Sequence, residues 1–212
     1  MILGITLARG GSKGIVRKNI KEMLGKPLLV WTIEAAKKSK LLDRYVVSTE
    51  DREIAAIATS NGAEVLDRPF HLATDDATSL SVLKHILNTI KADIVVVLQC
   101  TSPVREKGLI DKCIKRFLDK KADSLATGFM CNLFEWGAYD ERRQDLKNWF
   151  HDDGSIVILK ADLIKRAKRL KDAFGKKRER VITGKEQNFE IDDEFDFWLN
   201  EQILRKKHED KK

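Results

Sequence analysis

The sequence predicts an α/β fold built on a mainly parallel sheet, and three observations carry that expectation. Strand-length apolar runs alternate with amphipathic helical stretches along most of the chain, the pattern of repeated βαβ units with right-handed crossovers. One run, Ile94–Leu98 (IVVVL), is apolar without interruption, as a strand covered on both faces must be. The opening run, MILGITLA, feeds directly into a Gly-rich turn, the look of a buried strand ending in a loop.

The elements follow in order. Pro27 opens the helical stretch PLLVWTIEAAKKSK, at a position where its missing N–H costs nothing. Tyr45–Thr49 is a second strand and Glu53–Asn61 a helix closed by Asn61-Gly62. Ala63–Leu66 is a short third strand. Thr78–Ile90 carries Leu80, Leu83, Leu87 and Ile90 on one helical stripe. After Ile94–Leu98 come an amphipathic helix at Leu109–Leu118 and a strand at Ser124–Thr127. The pattern blurs at about 130–153, where Phe134, Trp136, Tyr139, Trp149 and Phe150 stand among many charges. That stretch reads as an excursion from the sheet, either an oligomer contact or a local minicore. Ser155–Leu159 restores a strand, Ala161–Leu170 a helix, and Phe195–Leu204 a closing helix.

Composition narrows the class. The chain has 212 residues, 42% hydrophobic and 34% charged, which fits a globular protein rather than a disordered one. A chain of this length buries roughly 70% of its extended surface, so one domain, 1–212, is expected to fold without disulfide or metal staples. No apolar run approaches the roughly 20 residues that span a bilayer, and no basic segment precedes the first apolar stretch, so neither a membrane span nor a secretory signal is expected. Cys100, Cys113 and Cys131 are odd in number and lack zinc or CxxC spacing, which suits reduced thiols and a cytoplasmic location. The net charge is 40 − 33 = +7. Its patches, Lys165–Lys171, Lys176–Arg180 and Arg205–Lys212, lack interleaved aromatics and read as solvated faces rather than a nucleic-acid groove. Polyanionic substrates account for mild basicity equally well.

Five segments carry chemistry. The first is LARGGSKGIVRKN, from Leu7 to Asn19. A Gly-rich loop after a buried strand exposes backbone N–H groups that can wrap phosphate oxygens, and Arg9, Lys13 and Lys18 add side-chain cations. The spacing matches neither GxxxxGK[ST] nor GxGxxG. The second is DRPFHLATDDATS, Asp67 to Ser79, and the third QCTSPVR, Gln99 to Arg105. The third lies at the carboxyl end of the IVVVL strand, where open α/β sheets bind ligands. The fourth is RRQDL, Arg142 to Leu146, followed by DDGSIVI, Asp152 to Ile158. The fifth, FEIDDEFDFWLNE, offers Glu190, Asp192, Asp193, Glu194 and Asp196. Carboxylates beside a phosphate site suit Mg²⁺, although taken alone the run also reads as an acidic helix N-terminus. No general base stands out. His71 is a candidate by proximity, with a structural role the simpler reading.

Together these segments resemble the acylneuraminate cytidylyltransferases, the CMP-sialic acid synthetases and their nonulosonic acid relatives, with the Kdo cytidylyltransferases as more distant kin. The resemblance covers nearly the whole chain and keeps the family's motif order. It implies a Rossmann-like, three-layer nucleotide-diphospho-sugar transferase fold with a small dimerisation excursion at about 130–153. It also implies a homodimer that joins CTP to a sugar acid, with Mg²⁺ or another divalent cation. By position, Leu7, Ala8, Arg9, Gly10, Ser12, Lys13 and Asn19 hold the nucleotide, with Arg9, Lys13 and Lys18 on the triphosphate. Arg68, Ala77 and Ser79 match the cytosine site. Gln99, Thr101, Ser102, Arg143 and Gln144 match the acceptor side, and Glu190 and Asp192 the metal-binding pair, with Asp192 catalytic. This chain departs from the family at Glu190 (usually Asp), at Asp153-Gly154 (usually Asn-Gly), at Cys100 (usually Pro) and at Gly14-Ile15-Val16 (usually Gly-Ile-Pro). These changes lie on the acceptor side more than the nucleotide side. A different acidic acceptor, Kdo-like or a phosphonate, and a non-catalytic nucleotide-binding protein therefore stay open.

Overall fold

The computed structural model describes residues 1–132 and 142–209. The chain begins with β1 (Ile2–Leu7), then a small hairpin of β2 (Glu22–Met23) and β3 (Lys26–Pro27), then α1 (Leu28–Lys37). β4 (Arg44–Thr49), α2 (Arg52–Ser60), β5 (Glu64–Asp67), α3 (Ser79–Thr89) and β6 (Ile94–Leu98) continue the alternation. α4 (Leu109–Asp119), β7 (Ser124–Cys131), β8 (Trp149–Lys160), α5 (Ala161–Arg166), β9 (Arg178–Ile182) and α6 (Glu194–Glu209) follow.

Seven strands form one sheet in the order β5-β4-β1-β6-β8-β7-β9. β5, β4, β1 and β6 run parallel, as does the β7–β9 pair, while β8 is antiparallel to both of its neighbours. The fold is thus α/β with a mainly parallel sheet between two helical layers. Alternation along β6 explains the layering. Val95 and Val97 face α3 and α5 with Leu3, Ile5, Leu83, Ile86 and Ile164. Val96 and Leu98 face α4 with Ile110, Ile114, Ile156 and Ile158. Val47 on β4 packs with Leu29 and Ile33 of α1 and Ile54 of α2. A smaller cluster joins α6 to the sheet's carboxyl end through Ile15, Leu28, Val104, Ile191, Phe197 and Leu204.

The structure corrects several expected bounds. β7 and β8 extend beyond Thr127 and before Ser155 into a paired ribbon, Gly128↔Asp152 through Cys131↔Trp149, past a register shift between Ala126 and Gly128. Trp149 and Phe150 therefore belong to a sheet extension. Phe134, Trp136 and Tyr139 lie outside the described residues. β9 was not expected, because RERVI looks like a solvated basic patch. As an edge strand it buries little beyond Val181 and carries charges on its open side. The helix expected over Ala161–Leu170 ends at Arg166. Ala167 turns extended, its carbonyl accepts Lys84 Nζ at 2.7 Å, and the chain re-enters as a 3₁₀ turn that buries Ala173.

A buried carboxylate pins the three antiparallel-side strands together. Asp153, only 3% exposed, accepts from Thr127 Oγ1 at 2.6 Å, Ser155 N at 2.9 Å and Thr183 Oγ1 at 3.0 Å. Each donor comes from a different stretch next to or within β7, β8 or β9. Losing such an acceptor strands buried donors, so Asp153→Ala should lower unfolding free energy by about 3 kcal/mol. Asp153→Asn keeps an oxygen that accepts from Thr127 and the Ser155 amide, while its N–H₂ can donate to Thr183 Oγ1, whose own hydroxyl proton has Asn188 Oδ1 at 2.8 Å to turn to, and it should cost less than about 1 kcal/mol. Equal losses in urea melts of the two variants would contradict this account.

Candidate active site

The first three parallel strands β1, β4 and β6 end on one side of the sheet, and the loops leaving them build the site. The chain leaves β1 through Ala8, which is fully buried, and Ala8 N donates to Ser48 O at 3.0 Å. Gly10 N donates to Glu50 Oε1 at 2.7 Å. Arg17 sits in the left-handed region with φ 56° and clamps the loop to the start of α2, donating to Asp51 Oδ1 at 3.0 Å and Glu53 at 2.6 Å. That guanidinium holds the Asp51 carboxyl below its ordinary range, aided by the Ile54 and Glu53 amides that Asp51 caps. Asn19 closes the loop from beneath, with Nδ2 donating to Arg9 O at 2.8 Å and Oδ1 accepting from Cys100 Sγ at 2.8 Å.

The β6 loop is braced by Arg105, which folds back under it. Nη1 donates to Thr32 Oγ1 at 2.8 Å and Nε to Ser155 Oγ at 3.1 Å, while Nη2 reaches the Gln99 and Ser155 carbonyls. Burial pulls its pKa down to about 10, still well above neutrality. Cys100 beside it is buried, which pushes its thiol up to about 11.

The acidic segment arrives from the far end of the chain. Ile191 is fully buried, its N–H donates to Thr101 O at 2.8 Å, and its carbonyl accepts Lys18 Nζ at 2.6 Å. With Ile191 inward, the period of two leaves Glu190 and Asp192 pointing outward. Glu190 accepts from Thr101 Oγ1 at 2.9 Å, and Lys18 Nζ lies 3.6 Å from Asp192. Glu190 is held above its ordinary range, first by burial and then by the facing Asp192 and Asp152 carboxylates. Burial raises Asp152 likewise.

These loops enclose a cavity of about 300 Å³ lined by Leu7, Arg9, Ser12, Lys13, Gly14, Lys18, Asn19, Gln99, Cys100, Thr101, Glu190 and Asp192. Its charged lining is Arg9, Lys13, Lys18, Glu190 and Asp192, with Lys18 beside Asp192. A larger groove of about 600 Å³ lies at the opposite, amino end of β6, with Asp93, Lys121, Lys160, Asp162 and Lys165 in its lining. Lys160 there is committed to Asp123 at 2.7 Å and Asp93 to the amino terminus. The smaller cavity is the better candidate by position, at the carboxyl ends of the parallel strands, where open α/β sheets bind ligands.

Ten of the residues singled out from sequence line that cavity. Ala8, Gly10 and Ser102 support it from behind. Arg68 is 4% exposed and donates to Ser48 O at 2.6 Å and Ser48 Oγ at 3.2 Å. Burial lowers its pKa, and Glu50 opposes that shift. Ala77 and exposed Ser79 flank the start of α3, which Thr78 caps through Ser81 N at 3.2 Å. Arg143 and Gln144 fall in a separate 3₁₀ turn, and Gln144 is exposed and not part of the cavity lining. The Arg143 side chain lies outside the described part. His71 is exposed and away from the cavity lining.

Sequence reasoning gave no role to Gly14, Glu50, Arg105 or Asp75. Arg105 and Asp75 stood inside quoted motifs; for Arg105 the signal was a lone charge in the otherwise uncharged QCTSPVR, whereas Asp75 stands among Asp67, Arg68 and Asp76 with nothing to mark it out. Gly14 carries no such sign. A Cβ on it would overlap the carbonyl oxygen of Asp192, so only glycine lets the two loops meet. Gly14→Ala should therefore loosen the acidic segment and cut hydrogen-exchange protection of the Ile191 amide about tenfold, with β1 and β6 amides unchanged. Unaltered Ile191 protection would show that the contact does not hold the segment.

The comparisons agree with this geometry. A family model described as cytidylyltransferase matches residues 3–208. The N-acylneuraminate cytidylyltransferase of Escherichia coli O18:K1:H7 is 31% identical over 99% of this chain, which spans 54% of that relative. The pseudaminic acid cytidylyltransferase of Campylobacter jejuni is 33% identical over 74% of this chain and 77% of its own length. Among solved structures, a CMP:2-keto-3-deoxy-manno-octonic acid synthetase complexed with CTP superposes with a TM-score of 0.77 at 12% identity, covering 97% of this chain and 99% of that one. The chain belongs to the cytidylyltransferase family.

Proposed function

We propose that the protein transfers a cytidylyl group from CTP to a sialic acid-like nonulosonic acid, releasing pyrophosphate, with Mg²⁺ or another divalent cation. One observation carries the reading: Arg9, Lys13 and Lys18 line one cavity together with Glu190 and Asp192, so a polyphosphate and a cation would share it. The curated relatives named for N-acylneuraminate and pseudaminic acid support the acceptor class.

In this reading Arg9, Lys13 and the backbone amides of residues 11–13 bind the triphosphate and stabilise the leaving pyrophosphate. Arg68, Ala77 and Ser79 bound the base side, and Gln99, Thr101 and Ser102 the acceptor side. Arg143 and Gln144, which the resemblance assigns to the acceptor, lie on a separate 3₁₀ turn. A hydroxyl of the acceptor attacks the α-phosphorus while pyrophosphate leaves, a step governed by alignment and charge neutralisation. The donor set suits a hard cation. Glu190 and Asp192 are two facing carboxylates whose mutual repulsion such an ion would relieve. Among the described residues no cluster of three or more His, Cys, Asp or Glu is built for a metal, so phosphate oxygens and water would complete the shell, as is common for Mg²⁺. Bound there, the ion would neutralise charge on the phosphates. Lys18, tied to the Ile191 carbonyl, positions the acids rather than roaming.

Pyrophosphate release with CTP, Mg²⁺ and a panel of nonulosonic acids, Kdo and phosphonates tests the reading. Turnover is expected with a nonulosonic acid and with CTP at least about a hundredfold better than UTP. Arg9→Ala and Asp192→Ala should each lower kcat/KM by about a hundredfold or more. Full activity in either variant, or turnover confined to Kdo or a phosphonate, would contradict the assignment.

We also propose a cytoplasmic homodimer. Exposed Trp149 and Met130 on the β7–β8 ribbon support a partner contact there. Light scattering at the mass of one chain would refute it.

A further inference from the structure

Two of the three cations in the cavity share a single carboxylate. Arg9 Nη1 lies 2.9 Å from Asp75 Oδ1, and Lys13 Nζ lies 2.8 Å from Asp75 Oδ2. Each carboxylate oxygen takes one cation, as two oxygens of a phosphoryl group would. Arg9 also reaches the Ala73 carbonyl at 3.5 Å. Lys18 takes no part, being bound to the Ile191 carbonyl. Asp75 stands in a short bend between the 3₁₀ turn Phe70–Leu72 and the start of α3, half-exposed at 50%. The bend is closed by a single backbone bond, Ala77 N to Thr74 O at 3.2 Å, so the carboxylate can leave without disturbing the core. Its cations hold the carboxyl below its ordinary range, Lys13 foremost and Arg9 next.

We propose that Asp75 is a displaceable counter-ion that sits in the phosphate seat between Arg9 and Lys13, so that every phosphate-bearing ligand must expel it to bind and it returns when pyrophosphate leaves. The proposal rests on the nucleotide reading above. Asp75 offsets the repulsion between Arg9 and Lys13 and holds both at the cavity. Two half-exposed ion pairs are individually weak, so a polyphosphate with more charge and more acceptors wins. The same competition works against the product, because pyrophosphate has lost its attachment to the base and sugar.

Calorimetric titration of CTP, pyrophosphate and cytidine into the native protein, Asp75→Asn and Asp76→Asn tests it. Asp76 is the exposed neighbour and controls for net charge. Asp75→Asn should bind CTP and pyrophosphate about tenfold more tightly than Asp76→Asn does, while cytidine, which has no phosphate, binds all three proteins alike. Product inhibition by pyrophosphate should strengthen by the same factor. Equal binding of phosphates by Asp75→Asn and Asp76→Asn, or weaker binding by Asp75→Asn, overturns the proposal while native binding of CTP preserves the nucleotide reading. A native protein that binds no CTP overturns both.

Discussion

The site depends on one docking event between distant parts of the chain. Ile191 is buried among Ile15, Leu28, Val104 and Phe197, its N–H is bonded to Thr101 and its carbonyl to Lys18. Those contacts join the loop after β1, the loop after β6 and the segment before α6. The apolar side chain supplies the driving force, and the two polar bonds fix the register. Glu190 and Asp192 are held opposite the cationic loop as a consequence of where Ile191 goes. The absence of a side chain on Gly14 is what allows that approach.

Once the docking is made, electrostatics organise the rest. Positive and negative groups converge on one cavity. They meet in internal pairs: Asp75 on Arg9 and Lys13, Asp192 near Lys18, Asp51 and Glu53 on Arg17. The Arg17 pairs shape the loop, and Asp75 stands between Arg9 and Lys13. Behind this polar front, Arg105 and Asp153 tie strands together with neutral hydrogen-bond partners, so neither charge is spent on the cavity.

Much of this was legible in the residues. Continuous apolar strands, helical stripes and the order of strand and helix fixed the parallel half of the sheet, because burial on both faces leaves a plain pattern. The less regular half was harder. β8 is antiparallel to both neighbours, β9 is a charged edge, and the β7–β8 ribbon passes a register shift, so none shows a clean period. The cationic loop was visible because glycines and cations after a first strand have few other uses. The placements of Gly14 and Asp75 were not, since they depend on what a remote segment brings near them. Arg143 and Gln144, which the resemblance assigns to the acceptor, sit on a 3₁₀ turn of their own.

The most direct test of the account is a crystal structure with CTP and Mg²⁺ bound. The account expects the triphosphate against Arg9, Lys13 and the amides of residues 11–13, with the cation held by Glu190 and Asp192. Nucleotide bound elsewhere, for example in the groove near Lys121 and Lys160, or density for the cation away from both acids, would contradict it.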